Sequence, residues 1–203
     1  MKDTLFVKIF NSKQTIHLSL LFLFWCLSFI LILPTGQFPL ADDWAYAKTV
    51  EIFIKTHHIQ ILDWYAMTFI TQLIWGGLFA SVFGFSFFIL RLSTIVISLI
   101  GVYYFYRLFK KISNDNTAFI ATLIYSFNPL YLSLTYSFMT DVPFLSLTVI
   151  SLYYYLQSLE DNSLKPFLIA TLFTLIATLL RLMGILLPYA FYVDLLISNR
   201  YSI

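Results

Sequence analysis

Two adjacent carboxylates, Asp42 and Asp43, stand in the stretch FPLADDWAYAKTVEIF, directly after an apolar run and beside Trp44 and Tyr46. A third, Asp141, opens another apolar run in SFMTDVPF. Carboxylates held at the edge of a membrane can take the proton of an attacking hydroxyl, or hold a divalent cation through their oxygens. Arg91 and Arg181 stand near the ends of apolar runs, and the planar fork of a guanidinium suits a phosphate. Each residue also has a plainer reading. Asp141, with Pro143 close behind it, fits a helix cap, and so does Asp42. One cap needs one carboxylate, so Asp43 calls for another account. Either arginine serves equally as a snorkelling side chain. His57 and His58 are neighbours that point to different sides of a helix, which reads as a solvated loop rather than a metal site. Tyr103-Tyr104 and Tyr153-Tyr154-Tyr155 read as packing or lipid-facing residues.

The elements that position these groups are membrane elements. The chain is 60% hydrophobic, 20% aromatic and 11% charged, against about a quarter charged in soluble domains. It carries no basic patch of the kind that binds nucleic acid. The lone Cys26 excludes an intrachain disulfide and a cysteine-based metal site. A span needs about 20 apolar residues, and the pattern predicts six: 16–34, 86–106, 117–134 with Pro129 kinking its outer end, 142–158, 166–180 and 183–199. The first follows Lys2, Lys8 and Lys13, is long, and has no small-residue cleavage site after it, so it reads as a signal anchor with a cytoplasmic N-terminus.

Charge sets the orientation. With the N-terminus inside, the inner segments hold Lys2, Lys8, Lys13, Arg107, Lys110, Lys111, Lys165 and Arg200, which is eight of the 12 basic residues. Asp42, Asp43, Glu51, Asp63 and Asp141 fall outside. Residues 65–85 are long enough to cross, but a crossing there would turn Arg107, Lys110 and Lys111 outward. They therefore read as lying in the outer interface, with Trp64, Tyr65 and Trp75 at headgroup depth and Gly76-Gly77 permitting a bend. Residues 43–56 read as a second interfacial helix. Tyr46, Val50, Phe53 and Ile54 form its apolar face; Lys48, Glu51 and Lys55 form its polar face, with Glu51 and Lys55 an i,i+4 pair. The middles of the spans carry essentially no charge, which weighs against a proton-coupled transporter.

The ordered set resembles the N-terminal half of a GT-C type membrane glycosyltransferase: ADDWAYAKTV, then FGFSFFILRLSTIVISLIGVYYFYRLFKK, then IATLIYSFNPLYLSLTYSFMTDVPFLSLTVISLYYY, and finally LIATLLRLMGILLPYA. Within that class it is similar to the dolichyl-phosphate-mannose protein mannosyltransferase-like set. The resemblance implies an all-α membrane protein of about six spans plus two interfacial helices. It implies one domain over 1–203, with 35–85 as the first extracytoplasmic loop, and a chain truncated at its C-terminus relative to longer family members. The family's loop motif is usually Asp-Glu, and here it reads Asp42-Asp43. Asp141 matches a second acidic position, Arg91 the arginine that opens the second span, and Arg181 with Gly184 and Pro188 a late Arg–Gly–Pro set.

By that resemblance Asp42 is the general base or orients the acceptor. Asp43 and Asp141 complete the catalytic site, by polar positioning or by holding a divalent metal. Tyr46, Arg91 and Arg181 bind substrate, the arginines at the lipid phosphate. The implied reaction is inverting transfer of a hexose or pentose from a polyprenyl-phosphate sugar donor to a surface lipid, glycan or protein acceptor. It takes place at the extracytoplasmic face of a bacterial cytoplasmic membrane, with no nucleic acid partner. Two other classes stay open on the residues alone. A transporter or flippase component would line a path with polar groups, and a non-catalytic membrane partner of the same fold would tolerate loss of Asp42, Asp43 and Asp141.

Overall fold

The computed structural model describes residues 13–60 and 67–198. Lys2, Lys8, Asp63, Trp64, Tyr65 and Arg200, used above to set orientation and depth, lie outside the described residues. The regular structure of the described residues is α-helical apart from one 3-10 turn: α1 Lys13–Ile32, α2 Asp43–Thr56, α3 Ile70–Phe83, α4 Phe87–Ile112, α5 Asp115–Ser126, α6 Pro129–Thr135, α7 Asp141–Asp161, α8 Leu164–Thr178, a 3-10 turn Leu182–Ile185, and α9 Leu186–Ser198.

Helices α1, α4 and α7 are each long and apolar enough to cross a membrane. Helices α5 and α6 are long and apolar enough only as a pair, bent by 64°, which makes either one broken span or a re-entrant loop. The bend has a local cause. Asn128 precedes a proline and is therefore extended, at φ −57 and ψ 129. Its side chain then caps α6 by accepting from the Leu130 and Tyr131 N–H groups, with Pro129 in the first turn. The fifth and sixth spans expected from hydropathy are shorter than a bilayer requires: α8 has 15 residues and α9 has 13. The backbone breaks between them at Arg181, in the gap between the two expected spans, where Arg181 is extended at φ −141 and ψ 131.

Small polar residues line the helix contacts, as expected where lipid removes the hydrophobic drive between helices. Ser98 meets the Tyr131 hydroxyl at 3.0 Å and Thr135 at 3.2 Å. Ser151 meets Thr174 at 2.7 Å. Gly101 packs so close to α7 that a Cβ there would stand 3.0 Å from the Ser146 Cα. Leu, Ile and Phe side chains cover the outside of α1, α8 and α9, where a bilayer accepts them.

Helix α2 falls where the periodicity predicts it. Tyr46 and Val50 are buried, while Lys48 and Lys55 pair with Glu51 at 3.0 and 2.7 Å on the exposed face. Helix α3 runs unbroken through Gly76 and Gly77. Gly76 admits the Phe138 ring, which a Cβ would meet at 2.5 Å. Helices α2 and α3, the first turn of α4 and the 136–140 turn share a core of Tyr46, Val50, Phe69, Leu73, Leu90 and Phe138.

Candidate active site

The acidic pair divides. Ala41 adopts a left-handed conformation at φ 52, rare for a residue with a Cβ. The chain there turns so that Asp43 faces inward and Asp42 outward. Asp43 is fully buried. Its Oδ1 accepts from the Leu40 N–H at 2.6 Å and its Oδ2 from the Phe138 N–H at 3.3 Å. Burial raises its pKa above the ordinary carboxylate value, against those two hydrogen bonds and the nearby Arg91 charge. Asp42 is exposed, stands at the N-cap position of α2, and makes no capping hydrogen bond with its side chain.

Arg91 is also buried, on the first turns of α4. Its guanidinium stands 4.0 Å from Asp43. It donates to the carbonyls of Pro34 at 3.4 Å and Gly36 at 2.7 Å, and to that of Phe38. The Phe38 and Phe87 rings flank it. Nearby, the Phe87 N–H donates to the Gln37 side chain at 3.2 Å. The extended segment between α1 and α2 has few internal hydrogen bonds, and Arg91 supplies donors to its carbonyls. Arg91 and Asp43 thus brace this segment, and neither side chain reaches open space in this conformation.

A second pair is accessible. Arg181 donates through Nη1 to Asp141 Oδ1 at 2.6 Å, and both side chains are only partly buried. Asp141 is the first residue of α7; Thr140 holds the cap position, and no side-chain cap bond forms. Arg181 owes its place to the break after α8. There Phe69 N–H donates to the Leu180 carbonyl and Thr71 N–H to the Leu179 carbonyl. The Thr68 and Thr71 hydroxyls donate to the carbonyls of Thr178 at 3.0 Å and Ile176 at 2.7 Å. The start of α3 therefore satisfies carbonyls that the end of α8 leaves open, and the chain passes on through Arg181 without a helical ladder. Phe69 is held left-handed, at φ 57, to do this, stacked on Tyr46 at 4.9 Å.

Tyr46 joins the two parts of the site. Its hydroxyl lies within the fields of Arg181, Asp141 and Asp42. Burial raises its pKa, with the Arg181 charge and the Thr140 hydroxyl opposing. The Tyr46 and Thr140 hydroxyls both lie against the Met67 sulfur, at 3.5 and 3.1 Å. Thr140 and Met67 carry no signal in the sequence that would single them out. Asp42, Asp141 and Arg181 thus all act on the Tyr46 hydroxyl, while Asp43 and Arg91 form the support for the turn that carries Asp42.

From Asp141 an apolar groove of about 360 Å³ runs along the bent helix, lined by Ile124, Tyr125, Asn128, Leu130 and Tyr131. Asp43 is fully buried, whereas Asp42 is exposed and Asp141 partly exposed. Among the described residues no group of three or more His, Cys, Asp or Glu side chains converges as a metal site would require. The three carboxylates therefore do not fit a shared cation in this arrangement.

A family model described as dolichyl-phosphate-mannose-protein mannosyltransferase matches residues 69–203. Arg91, Asp141 and Arg181 lie inside the match; Asp42, Asp43 and Tyr46 precede it. No curated protein and no solved structure matches the chain.

Proposed function

The chain belongs to the dolichyl-phosphate-mannose-protein mannosyltransferase family, a family of GT-C type membrane glycosyltransferases, and from that premise we propose how its acidic and basic residues divide the work of sugar transfer. The donor is a sugar on a polyprenyl phosphate, and the acceptor is a hydroxyl of a surface lipid, glycan or protein. Transfer takes place at the extracytoplasmic face of a bacterial cytoplasmic membrane, with the N-terminus in the cytoplasm. Residues 35–85 form the first outer loop of a single GT-C domain.

The observation that carries this reading is the partly exposed Asp141–Arg181 pair at the head of an apolar groove, with exposed Asp42 close by. The groove accepts isoprenoid chain. The Arg181 guanidinium has five N–H donors and gives one to Asp141, which keeps others for a phosphate. In the reaction the acceptor oxygen bonds to the anomeric carbon from the face opposite the phosphate. The bond from that carbon to the phosphate oxygen breaks, and its electron pair leaves with the polyprenyl phosphate, whose new charge faces Arg181. The hydroxyl proton passes to the Asp42 carboxylate. Asp141 orients Arg181. Asp43 and Arg91 are positioning residues that fix the turn carrying Asp42, and Tyr46 holds α2 against the pair.

The test is transfer from a panel of radiolabelled polyprenyl-phosphate sugars, in membranes that hold the wild-type chain or its Asp42→Asn and Arg181→Met forms. Transfer by the wild type, reduced at least about 100-fold by Asp42→Asn, is the expected result for a general base. Wild-type rates from the inserted Asp42→Asn protein would overturn the assignment.

A further inference from the structure

Helices α4 and α7 carry Arg91 and Asp141 at one end. Their other ends build a second polar site that the transfer reaction does not use. Arg107 lies 16 positions beyond Arg91, about 24 Å along the axis at 1.5 Å per residue. A cavity of about 340 Å³ opens there, lined by Gln14, Arg107, Lys110, Lys111, Tyr153 and Gln157. Its cations are not equally matched. Lys110 pairs with Asp115 and Lys111 with Glu160. Among the described residues Arg107 has no carboxylate partner; it donates to two phenol hydroxyls, Tyr103 at 2.8 Å and Tyr153 at 2.7 Å. The Tyr153 ring lies under both Arg107 and Lys111, with their charged ends 5.3 and 5.2 Å from its centroid. Two of the three cations are ion-paired, and a third carboxylate, Asp161, accepts from Gln157 at the cleft and pairs with none of the three cations; Arg107 is thus the cation of the cleft without an ion pair. Lys110 also holds the Gln14 side chain of α1 at 2.9 Å, so three helices frame the cleft.

The surroundings indicate depth. Tyr103, Tyr104, Tyr153 and Tyr154 stack edge to face at this end, and the Tyr104 and Tyr154 hydroxyls meet at 2.9 Å. Tyrosines gathered at one level with lysine and arginine heads beyond them mark a membrane interface. A basic pocket between helices at that depth suits the headgroup of an anionic lipid. We propose that this cleft binds the phosphate of an anionic phospholipid, with Arg107 as its main donor and Lys110 and Lys111 as supporting charges. Arg107 would exchange neutral phenol partners for a charge-assisted fork on the phosphate oxygens. The inference rests on the α1–α4–α7 cleft alone and does not depend on the assignment of the transfer site.

The experiment is native mass spectrometry of the full purified chain with equimolar phosphatidylglycerol and phosphatidylcholine. Wild type is expected to retain phosphatidylglycerol by at least about 10-fold, the scale of one charged hydrogen bond, and Arg107→Gln to bring the ratio near unity. Lys48→Gln, an exposed lysine on α2, is expected to leave it unchanged. Should Arg107→Gln fail to fold, Lys111→Gln carries the same test with a smaller drop. Equal retention of both lipids by wild type overturns the proposal, as does a preference unchanged in both cleft variants. Loss of the bound lipid on adding inorganic phosphate, with no lipid preference in vesicles, would assign the cleft to a soluble phosphate and overturn the lipid reading.

Discussion

Asp42 and Asp43 are consecutive in sequence and opposite in environment: Asp43 is fully buried with two backbone N–H donors on its carboxylate, and Asp42 is exposed. Their roles separate on that ground, and stability and transfer are expected to separate with them.

Replacing Asp43 with Asn keeps the shape but sets an amide donor against one of two N–H groups and removes the charge beside Arg91. A buried donor left unmet costs about 1–3 kcal/mol, and Asp43→Asn is expected to lower stability by that order. Asp42→Asn, on an exposed carboxylate with no cap bond, is expected to stay within about 0.5 kcal/mol of wild type while transfer collapses. Thermal unfolding of the purified proteins beside their transfer rates decides this. Equal stability loss in both variants would sink the division of roles.

The raised pKa of Asp43 gives a pH signature. Its ordinary value is 3.8, and burial moves it upward in the folded chain. Between those two values the folded protein holds a proton that the unfolded chain has released, so raising the pH through that window lowers stability; below the unfolded value no penalty exists. Glu51, with a pKa lowered by Lys55 and Lys48, acts in the opposite sense and is present in every variant. The difference between wild type and Asp43→Asn therefore isolates Asp43. Unfolding midpoints followed from about pH 4 upward are expected to fall more steeply in wild type. Parallel profiles would show that Asp43 keeps an ordinary pKa.

Much of this architecture is legible in the residues. Helix α2 begins and ends where the apolar and polar faces of DWAYAKTVEIFIKT predict, because a 3.6-residue period leaves little freedom. The bend at Asn128-Pro129 follows from local chemistry. The pattern also separates 166–180 from 183–199 at Arg181, but it does not carry how that break is held. Thr68, Phe69 and Thr71, far away in sequence, take the carbonyls of Ile176 and Thr178 at the end of α8 and of Leu179 and Leu180 just past it. The burial of Arg91 is hidden for the same reason. A lone arginine at a span end reads as snorkelling until the carbonyls of Pro34, Gly36 and Phe38 are seen around it.

Arg91 offers a sharp substitution. Lysine carries the charge but has neither the fork nor the plane that reaches separate carbonyls between two rings. Arg91→Lys is expected to destabilise by about 1.5–3 kcal/mol, the range of hydrogen bonds to a charged group. In a double-mutant cycle with Asp43→Asn the losses are expected to fall short of additive by at least about 0.5 kcal/mol, since the two share the 34–40 segment. Additive losses would mean that the two residues act independently.

The Asp141–Arg181 pair should behave in the opposite way. Both side chains are partly exposed, so the pair contributes at most about 1 kcal/mol to stability. Its expected weight is in transfer: Arg181→Lys retains part of the rate with a raised KM for the donor, and Asp141→Asn lowers kcat by releasing Arg181 from its set position. A variant of either residue that is unstable yet fully active when folded would make the pair structural.

Gly184 tests whether the break itself matters. It is buried, and a Cβ there would stand 2.6 Å from the Thr178 backbone nitrogen. Backbone yields poorly, so Gly184→Ala is expected to cost about 1–3 kcal/mol by overpacking. It should also displace the neighbouring turn that carries Arg181, and transfer is expected to fall with it. Gly77 is the matched control. A Cβ there meets only the Phe53 ring, at 3.4 Å, within a continuous helix. Gly77→Ala is therefore expected to leave transfer unchanged and to raise stability by about 0.5–1 kcal/mol through helix propensity. Transfer rates that respond alike to the two substitutions would show that placing Arg181 in the break is not what activity requires.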